Sequence, residues 1–572
     1  MHLRLLSREN TMHSSKKMTL NLQSFFLITL FLYASELNAK RTFYRAAVLE
    51  LSQFTNTSYP TSQILEINLN LYDIAARTAA RHGADILVFP ESGLLPFEKP
   101  DRGWLLPFIE DIPDLKVAAN PCSESAKFQD RPIIRKLSCL ARHNNIYVVA
   151  NTADYKKCDV KTRCDKDKTN SRDSNCTSCP EDGHFFYNTN VVFSRDGTLI
   201  AKYYKNHLYF EPEMNIPDHP ENAYFDTEFG KFTTVICFDL MFKEAVEALD
   251  KPDILNVAYP TYWFDHTPMI FFATPYQQAW AMTNKVNLLA ANGHHPPTGS
   301  LGSGIYSSDK GALIYTHNPD GHNKLLISNV PIFPNEGTDN TNNLDAMRFF
   351  IENGTAILQH GEEKRNFKKE CDSTIIGTAD PESGEYRCGR TDVDEYTFKK
   401  LHGEKGSVEV CSNKFCCSIN YRADSMNEDF YFGVSGYPLN FYGEFSFGTE
   451  SCLLVRCESV GGKPCRNYVL KSDTIFQSVE IKGNFSTKYI LPFAVDSEIR
   501  LTDKDKWFFD HKSQIIYQNL DKKSPLLFFG LYGRIFDQDK DLYNQPDSAR
   551  RISSTENWFM FVLMLCVILT FS

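Results

Sequence analysis

The chain has 572 residues, 42% of them hydrophobic and 23% charged, a length that exceeds one ordinary core and predicts two folded domains. Its formal net charge of −10 supplies no basic field, which argues against nucleic acid as a partner.

Residues 1–39 read as a secretory signal with an N-terminal extension. Lys16 and Lys17 precede the apolar run Phe25 to Tyr33, which is too short to span a bilayer, and a polar stretch then ends at the small residue Ala39. Cleavage is expected after Ala39, with Ala34 as the alternative; Met12 and Met18 are alternative starts.

Residues 40–330 alternate strand and helix. Tyr44 to Leu51 is an apolar strand, and Ser62 to His82 places Ile64, Ile67, Leu71, Ile74 and Thr78 at helical spacing, with Gly83 as the stop. Ala84 to Glu91 is a strand that enters a loop at its acidic end. A helix over 131–143, a strand over 146–151 and a hairpin around Arg195-Asp-Gly197 follow. Further strands at 231–238, 253–259 and 286–292, with helices near 243–249 and 274–284, complete an α/β layered domain.

Residues 331–345, rich in Pro, Asn, Gly, Thr and Asp, read as a linker. Residues 346–535 are cysteine-rich with short alternating strands, a smaller and mostly β domain held by disulfides. Residues 536–557 read as a spacer and anchor-attachment region, and 558–572 as a hydrophobic anchor signal. The small trio Asp547-Ser548-Ala549, a polar spacer and a terminal apolar tail form the pattern of a glycosylinositol lipid anchor joined at Asp547. The extracellular face of the plasma membrane is therefore the expected location, with plain secretion as the alternative.

Sixteen cysteines point to an oxidising compartment. Cys566 lies in the tail, so 15 remain and one has no partner inside the chain. Fourteen sit in turn-rich surroundings; Cys237 alone lies in a strand-like apolar run, Phe232-Thr-Thr-Val-Ile-Cys237-Phe. Cys176-x-x-Cys179, with Cys158, Cys164 and His184, has zinc-ligand spacing, but in a secreted chain it reads as disulfides, and no metal or cofactor is expected. Asn-x-Ser/Thr sites at Asn56, Asn175, Asn353 and Asn484 are expected to carry glycans.

Glu91, Lys205 and Cys237 each end a strand, where α/β sheets place ligands. An amide is a poor electrophile, and a thiol nucleophile splits its hydrolysis into two easier steps. A carboxylate taking the thiol proton contributes roughly 10²–10⁴ in rate. A fixed cation beside the oxyanion contributes roughly 3–4 kcal/mol.

The order of these three residues and the motifs around them resemble the nitrilase, or carbon–nitrogen hydrolase, superfamily over residues 42–325. The motifs are Gly83-Ala-Asp-Ile-Leu-Val-Phe-Pro-Glu91, Tyr204-Lys-Asn-His-Leu-Tyr-Phe-Glu-Pro-Glu213 and Phe229-Gly-Lys-Phe-Thr-Thr-Val-Ile-Cys-Phe-Asp239. Tyr259-Pro-Thr-Tyr-Trp263, Ala279-Trp280, Asn287 to Asn292 and Gly302 to Tyr306 are similar to the vanin/biotinidase branch. The resemblance implies an αββα four-layer sandwich with Glu91 as base, Lys205 as stabiliser of the intermediate and Cys237 as nucleophile. It also implies a second carboxylate, for which Glu211 is preferred and Glu213 stays open. The substrate it implies is a small-molecule amide, pantetheine or alternatively biocytin; a non-catalytic surface glycoprotein of the same fold is the rival. Tyr262, Trp263 and His294, with His295, are candidates to line the acyl pocket, and the protein is expected to be a monomer.

Overall fold

A computed structural model describes residues 41–96, 101–160, 179–334, 345–365, 367, 372–374, 386–390, 393–442, 444–518 and 524–541. The expected secretory signal, Cys164, Cys176, Cys371, Cys566, Asn175, residues 335–344 of the expected linker and Asp547 with the expected anchor signal lie outside these residues. The chain divides into the units Met1–Phe43 and Tyr44–Ser572, and the fold is that of the second.

Two sheets form the centre of the N-terminal half. The first orders its strands Thr355–Gln359, Met347–Glu352, Asn323–Pro331, Phe43–Glu50, Ile86–Val88, Tyr147–Lys157, His184–Phe193 and Leu199–Tyr204. The second runs Gly311–Thr316, Ser303–Ser307, Asn287–Asn292, Ile254–Thr261, Gly230–Thr234 and Ala223–Thr227. Side chains alternate across a strand, so each strand feeds two cores. Ala46, Val48, Ile86 and Val88 pack with Phe232, Ala258, Leu289 and Ile305 between the sheets. Ala47, Leu49 and Leu87 face the other way, against Ile64, Leu69 and Tyr72 of the helix Thr61–Arg81 and Leu137 of the helix Pro132–Asn144. Burial on both faces explains the near-continuous apolar runs of these strands. The helix Ala273–Asn284 covers the outside of the second sheet, and the four layers are αββα.

The C-terminal half is a β-sandwich. A sheet containing Phe430–Ser435, Thr449–Val460, Leu526–Arg534 and Ile490–Asp496 faces one containing Lys405–Ser412, Phe415–Ala423, Phe476–Gly483 and Ile515–Gln518. Ile419, Phe432, Leu454, Ile481 and Phe529 fill the space between them. Cys417–Cys452 ties one sheet to the other, while Cys411–Cys416 and Cys457–Cys465 close local strand pairs.

One difference from the sequence expectation is physical. Met347–Glu352 and Thr355–Gln359, expected in the C-terminal domain, pair through Asn323–Pro331 onto the first sheet. Strand pairing ignores the change in composition at 331–345 that the boundary was drawn from. The helix expected near 274–284 is found at Ala273–Asn284 and is buried over all of Ala273 to Ala281. Burial all round places this helix inside a core, with the side chains of Gln277 and Gln278 hydrogen-bonded there to the Gly302 carbonyl and the Ala312 N–H. Leu453, Val455, Leu491 and Phe493 of the C-terminal half pack on it from outside, and the Thr283 hydroxyl donates to the Ile490 carbonyl at 2.9 Å.

Arg534 is the polar counterpart of this junction. Its Nη2 donates to Asp539 Oδ2 at 2.7 Å and to the carbonyl of Met241 at 3.0 Å, and Nη1 donates to the Gly448 carbonyl at 2.8 Å. The guanidinium sits between the rings of Phe447 and Phe536. Removing one member of a buried pair costs about 3–5 kcal/mol, so Arg534→Met should lower unfolding free energy by about that much. Urea denaturation of the full chain reads this, and a loss under about 1 kcal/mol would exclude Arg534 from the junction's stability.

Candidate active site

Four elements converge at one rim. Glu91 lies three residues beyond Ile86–Val88, Lys205 directly follows Leu199–Tyr204, and Asn188 is inside His184–Phe193. Cys237 comes from the other sheet, three residues beyond Gly230–Thr234.

Lys205 is 2% exposed and Glu91 3%, so both are withdrawn from water. The Lys205 ammonium lies 2.7 Å from Glu91 Oε1 and 2.5 Å from Glu211 Oε1. Asn188 Nδ2 donates to Glu91 Oε1 and to Glu211 Oε2, each at 2.8 Å, closing a ring of two carboxylates, one ammonium and one amide. Asn188 is itself fixed by Asn151, whose Nδ2 donates to Asn188 Oδ1 at 2.7 Å and whose Oδ1 accepts from the Ser92 N–H at 2.9 Å. Burial alone would drive the ammonium toward neutrality. Glu211 and Glu91 more than offset it and hold the Lys205 pKa well above the ordinary lysine value. A buried ion group of this size is weak evidence for stability and a marker of a functional site.

Cys237 opens the short 3₁₀ turn Cys237–Met241 with φ of 42°, a left-handed conformation that costs a side-chain-bearing residue energy and is stored at functional sites. Tyr259 and Asp239 hold the turn. The Tyr259 hydroxyl donates to the Cys237 carbonyl at 2.8 Å. Asp239 accepts from the His207 N–H at 2.8 Å, the Tyr203 hydroxyl at 2.9 Å and the Ile236 N–H at 3.2 Å. Burial pushes the Asp239 carboxyl up to about 6. Burial, then the charge of Glu91, pushes the Cys237 thiol well above the ordinary cysteine range; Lys205, the Thr261 hydroxyl and the Tyr262 N–H pull the other way. That same Tyr262 N–H donates to Glu91 Oε2 at 2.9 Å, so one amide touches both the carboxylate and the thiol environment. Cys237 is the free cysteine among the described residues.

The structure therefore brings Glu91, Lys205, Cys237 and Glu211 together. Of the two open carboxylates, Glu211 contacts Lys205, while the Glu213 carbonyl accepts from Arg102. Tyr262 enters through its main chain, and its ring lies against Gly293, where any side chain would collide with it. Trp263 is not a pocket wall: its indole N–H donates to the Phe271 carbonyl at 2.7 Å, and its ring stacks on Tyr276 in the core. His294 is also corrected. It is fully buried, with Nδ1 2.7 Å from Glu50 Oε1 and Nε2 accepting the Gly321 N–H at 3.0 Å, so neither nitrogen faces a substrate. His295 turns to Thr298. Asn188 and Asp239 were missed; the signal for Asn188 was a polar Asn188-Thr-Asn190 step inside an otherwise apolar strand.

Among the described residues the cluster with metal-ligand geometry is Cys122, Cys139 and His143, but its two sulfurs are joined in a disulfide and offer no thiolate. Cys179 of the zinc-like spacing pairs with Cys158. A cavity of about 590 Å³ beside Tyr315, Arg348, Arg365 and Arg500 contains none of the residues gathered around Cys237.

The sequence of this chain matches the family Carbon-nitrogen hydrolase over residues 45–294 and the Vanin C-terminal domain over residues 386–539. A pantetheinase of Mus musculus is 32% identical over 479 residues, 83% of this chain and 84% of its own. A biotinidase of Bos taurus is 32% identical over 511 residues, 87% of this chain and 93% of its own. Among solved structures, an amidase from Nesterenkonia sp. aligns with 51% of this chain and 91% of its own at 18% identity and a TM-score of 0.35, which adds nothing to the assignment. The first match encloses Glu91, Lys205 and Cys237 and the second the β-sandwich, and with relatives at this identity over most of both chains, the protein belongs to the carbon–nitrogen hydrolases, in the branch that holds the vanins and biotinidases.

Proposed function

We propose that the protein hydrolyses pantetheine to pantothenate and cysteamine through a Cys237 thioester. The observation that carries this reading is the buried Lys205 ammonium clamped by Glu91 and Glu211 beside a buried free thiol. Because the thiol is held protonated, the proton must leave as sulfur attacks, and Glu91 is the base that takes it. Sulfur bonds to the amide carbon and the carbonyl π pair moves to oxygen. Two N–H bonds of Lys205 are committed to carboxylates, and the third serves the oxyanion. Collapse breaks the carbon–nitrogen bond, and the departing amine takes the proton from Glu91. Water then attacks the thioester, giving its proton to Glu91; the acid leaves and the thiol is restored. Glu211 fixes Lys205 and leaves it paired while Glu91 carries the thiol proton. The likeness to a biotinidase supports a second reading, biocytin cleaved to biotin and lysine by the same steps.

Its place is the extracellular face of the plasma membrane, held by a lipid at Asp547. Disulfides among the described residues support an oxidising compartment, and Asn56, Asn353 and Asn484 are exposed and open to glycosylation. No helix of the described residues is long and apolar enough to cross a membrane.

Purified protein should turn over pantetheine in preference to biocytin, and Cys237→Ala should lose at least ~10³-fold in kcat. A preference for biocytin would install the second reading, and a Cys237→Ala protein equal to wild type would sink both. The raised thiol gives a spectroscopic expectation: the 240 nm difference between wild type and Cys237→Ala shows no thiolate step from about pH 5 to 9. A step inside that window would replace proton uptake by Glu91 with a preformed thiolate. Phospholipase specific for inositol lipids should release the protein from cells; retention would remove the lipid anchor from the proposal.

A further inference from the structure

We infer that Tyr442, carried by the C-terminal β-sandwich half, is a specificity-determining residue of the active site that binds a distal hydroxyl on the acyl chain of the amide substrate. This rests on the amidase reading above and extends it to a residue outside the hydrolase half.

The path runs from the ion group outward. Glu211 Oε1, which holds Lys205, also accepts from the Tyr209 N–H at 3.3 Å, so Tyr209 and Phe210 leave the site directly along the chain. The Tyr209 ring meets Phe238, the residue after Cys237, edge-on at 5.1 Å and stacks on Phe264 at 5.8 Å. Burial raises the Tyr209 phenol well above its ordinary pKa, with smaller contributions from its neighbours Tyr442 and Cys237. Tyr209 thus stands between the nucleophile and the other half of the chain.

That other half supplies the facing wall. Phe441 ends the strand Leu439–Phe441 and lies 6.2 Å from Tyr209, 6.0 Å from Phe238 and 5.4 Å from His266, ring to ring. Tyr442 follows, 6.1 Å from Phe210 and 5.6 Å from His266. The wall is aromatic and apolar except for three polar side chains, and two of those are committed to each other. His266 Nδ1 is 2.7 Å from the Phe264 carbonyl, which makes Nδ1 the donor and leaves Nε2 to accept the Tyr209 hydroxyl at 3.4 Å. Burial lowers His266 to about 4, so it stays neutral. The third, the Tyr442 hydroxyl, is buried and has no hydrogen-bond partner among the described residues. An apolar wall with one uncommitted hydroxyl selects a chain with an apolar body and one matching polar group.

Backbone conformation agrees. Phe210 has φ of 49° and Tyr442 of 55°, both left-handed, where an aromatic residue sits only if its surroundings hold it. Two strained aromatic residues from two halves of the chain thus meet edge to face, beside Tyr209 and Phe441. Phe210 is half exposed and marks the outer rim.

A site built around a hydroxyl rejects the analogue that lacks it, because its own polar group is then left buried and unpaired. The test uses the full-length Cys237→Ala protein, calorimetry and two cysteamine amides: pantetheine, and the same chain with its hydroxyls replaced by hydrogen. Pantetheine should bind about tenfold tighter. Adding Tyr442→Phe, which removes one oxygen that bonds nothing, should erase that preference and leave the deoxy chain within about twofold. Equal affinity for the two amides with Tyr442 intact overturns the inference. So does a preference that survives Tyr442→Phe, or an equal weakening of both amides, which would make Tyr442 a packing residue only. In the active protein, Tyr442→Phe should raise KM for pantetheine about tenfold with kcat little changed. Because binding is read without Cys237, Tyr442-dependent binding with no wild-type turnover would count against the thioester mechanism and leave this inference standing.

Discussion

An ammonium with almost no exposure to water is the constraint on which the rest of this molecule depends. Lys205 stays charged because Glu211 and Glu91 stand against it, and those carboxylates are in turn held by Lys205, Asn188 and the N–H groups of Tyr262 and Tyr209. Loss of any member would leave a charge in a low-dielectric setting, at a cost of several kcal/mol. The contributors come from strand ends of both sheets, so the sheets must be stacked in register before the ion group closes. Two stacked sheets, strands buried on both faces, and a rim where their ends meet are what this group of side chains requires.

The nucleophile is held by a different device. Cys237 is bent into a left-handed conformation by a turn whose amides and neighbouring phenol are gathered by Asp239, and whose far end, the Met241 carbonyl, accepts from Arg534 of the sandwich half. The ion group is thus an affair of the hydrolase half, while the turn bearing the thiol is braced from outside it. Asp265 shows the same pattern: it accepts from His317 of its own half and from the Tyr386 hydroxyl, both at 2.7 Å. His266 and Thr267 pair in parallel with Gly389 and Arg390. The loop that follows the strand under the active site is therefore stitched to the second half along its length.

Much of this was legible in the sequence, for reasons that can be named. Helical spacing in Ser62 to His82 and the stop at Gly83 predict a helix found at Thr61–Arg81, with Gly83 at φ of 74°. Glu91, Lys205 and Cys237 stand out because each is a reactive type at the end of an apolar run, a local pattern. What stayed hidden was relational. Trp263 and His294 have the composition of pocket residues, and only the positions of Phe271, Tyr276, Glu50 and Gly321 reveal them as internal packing. Glu211 and Glu213 are two residues apart and differ by which one Lys205 reaches. Strands Met347–Glu352 and Thr355–Gln359 look like the region that follows them, because pairing across a sheet leaves no mark in composition.

The helix Ala273–Asn284 has a consequence for how the chain is made. It is buried on every side because one face lies on the hydrolase sheet and the other under the sandwich sheet. An N-terminal half emerging first from the ribosome would carry one face of this helix uncovered, a sticky surface of the kind chaperones hold and proteases find. The two halves are thus separable by eye and not by folding. During synthesis the exposed interval ends only when the strands around Ile490 and Leu526 have arrived, more than 200 residues after the helix itself.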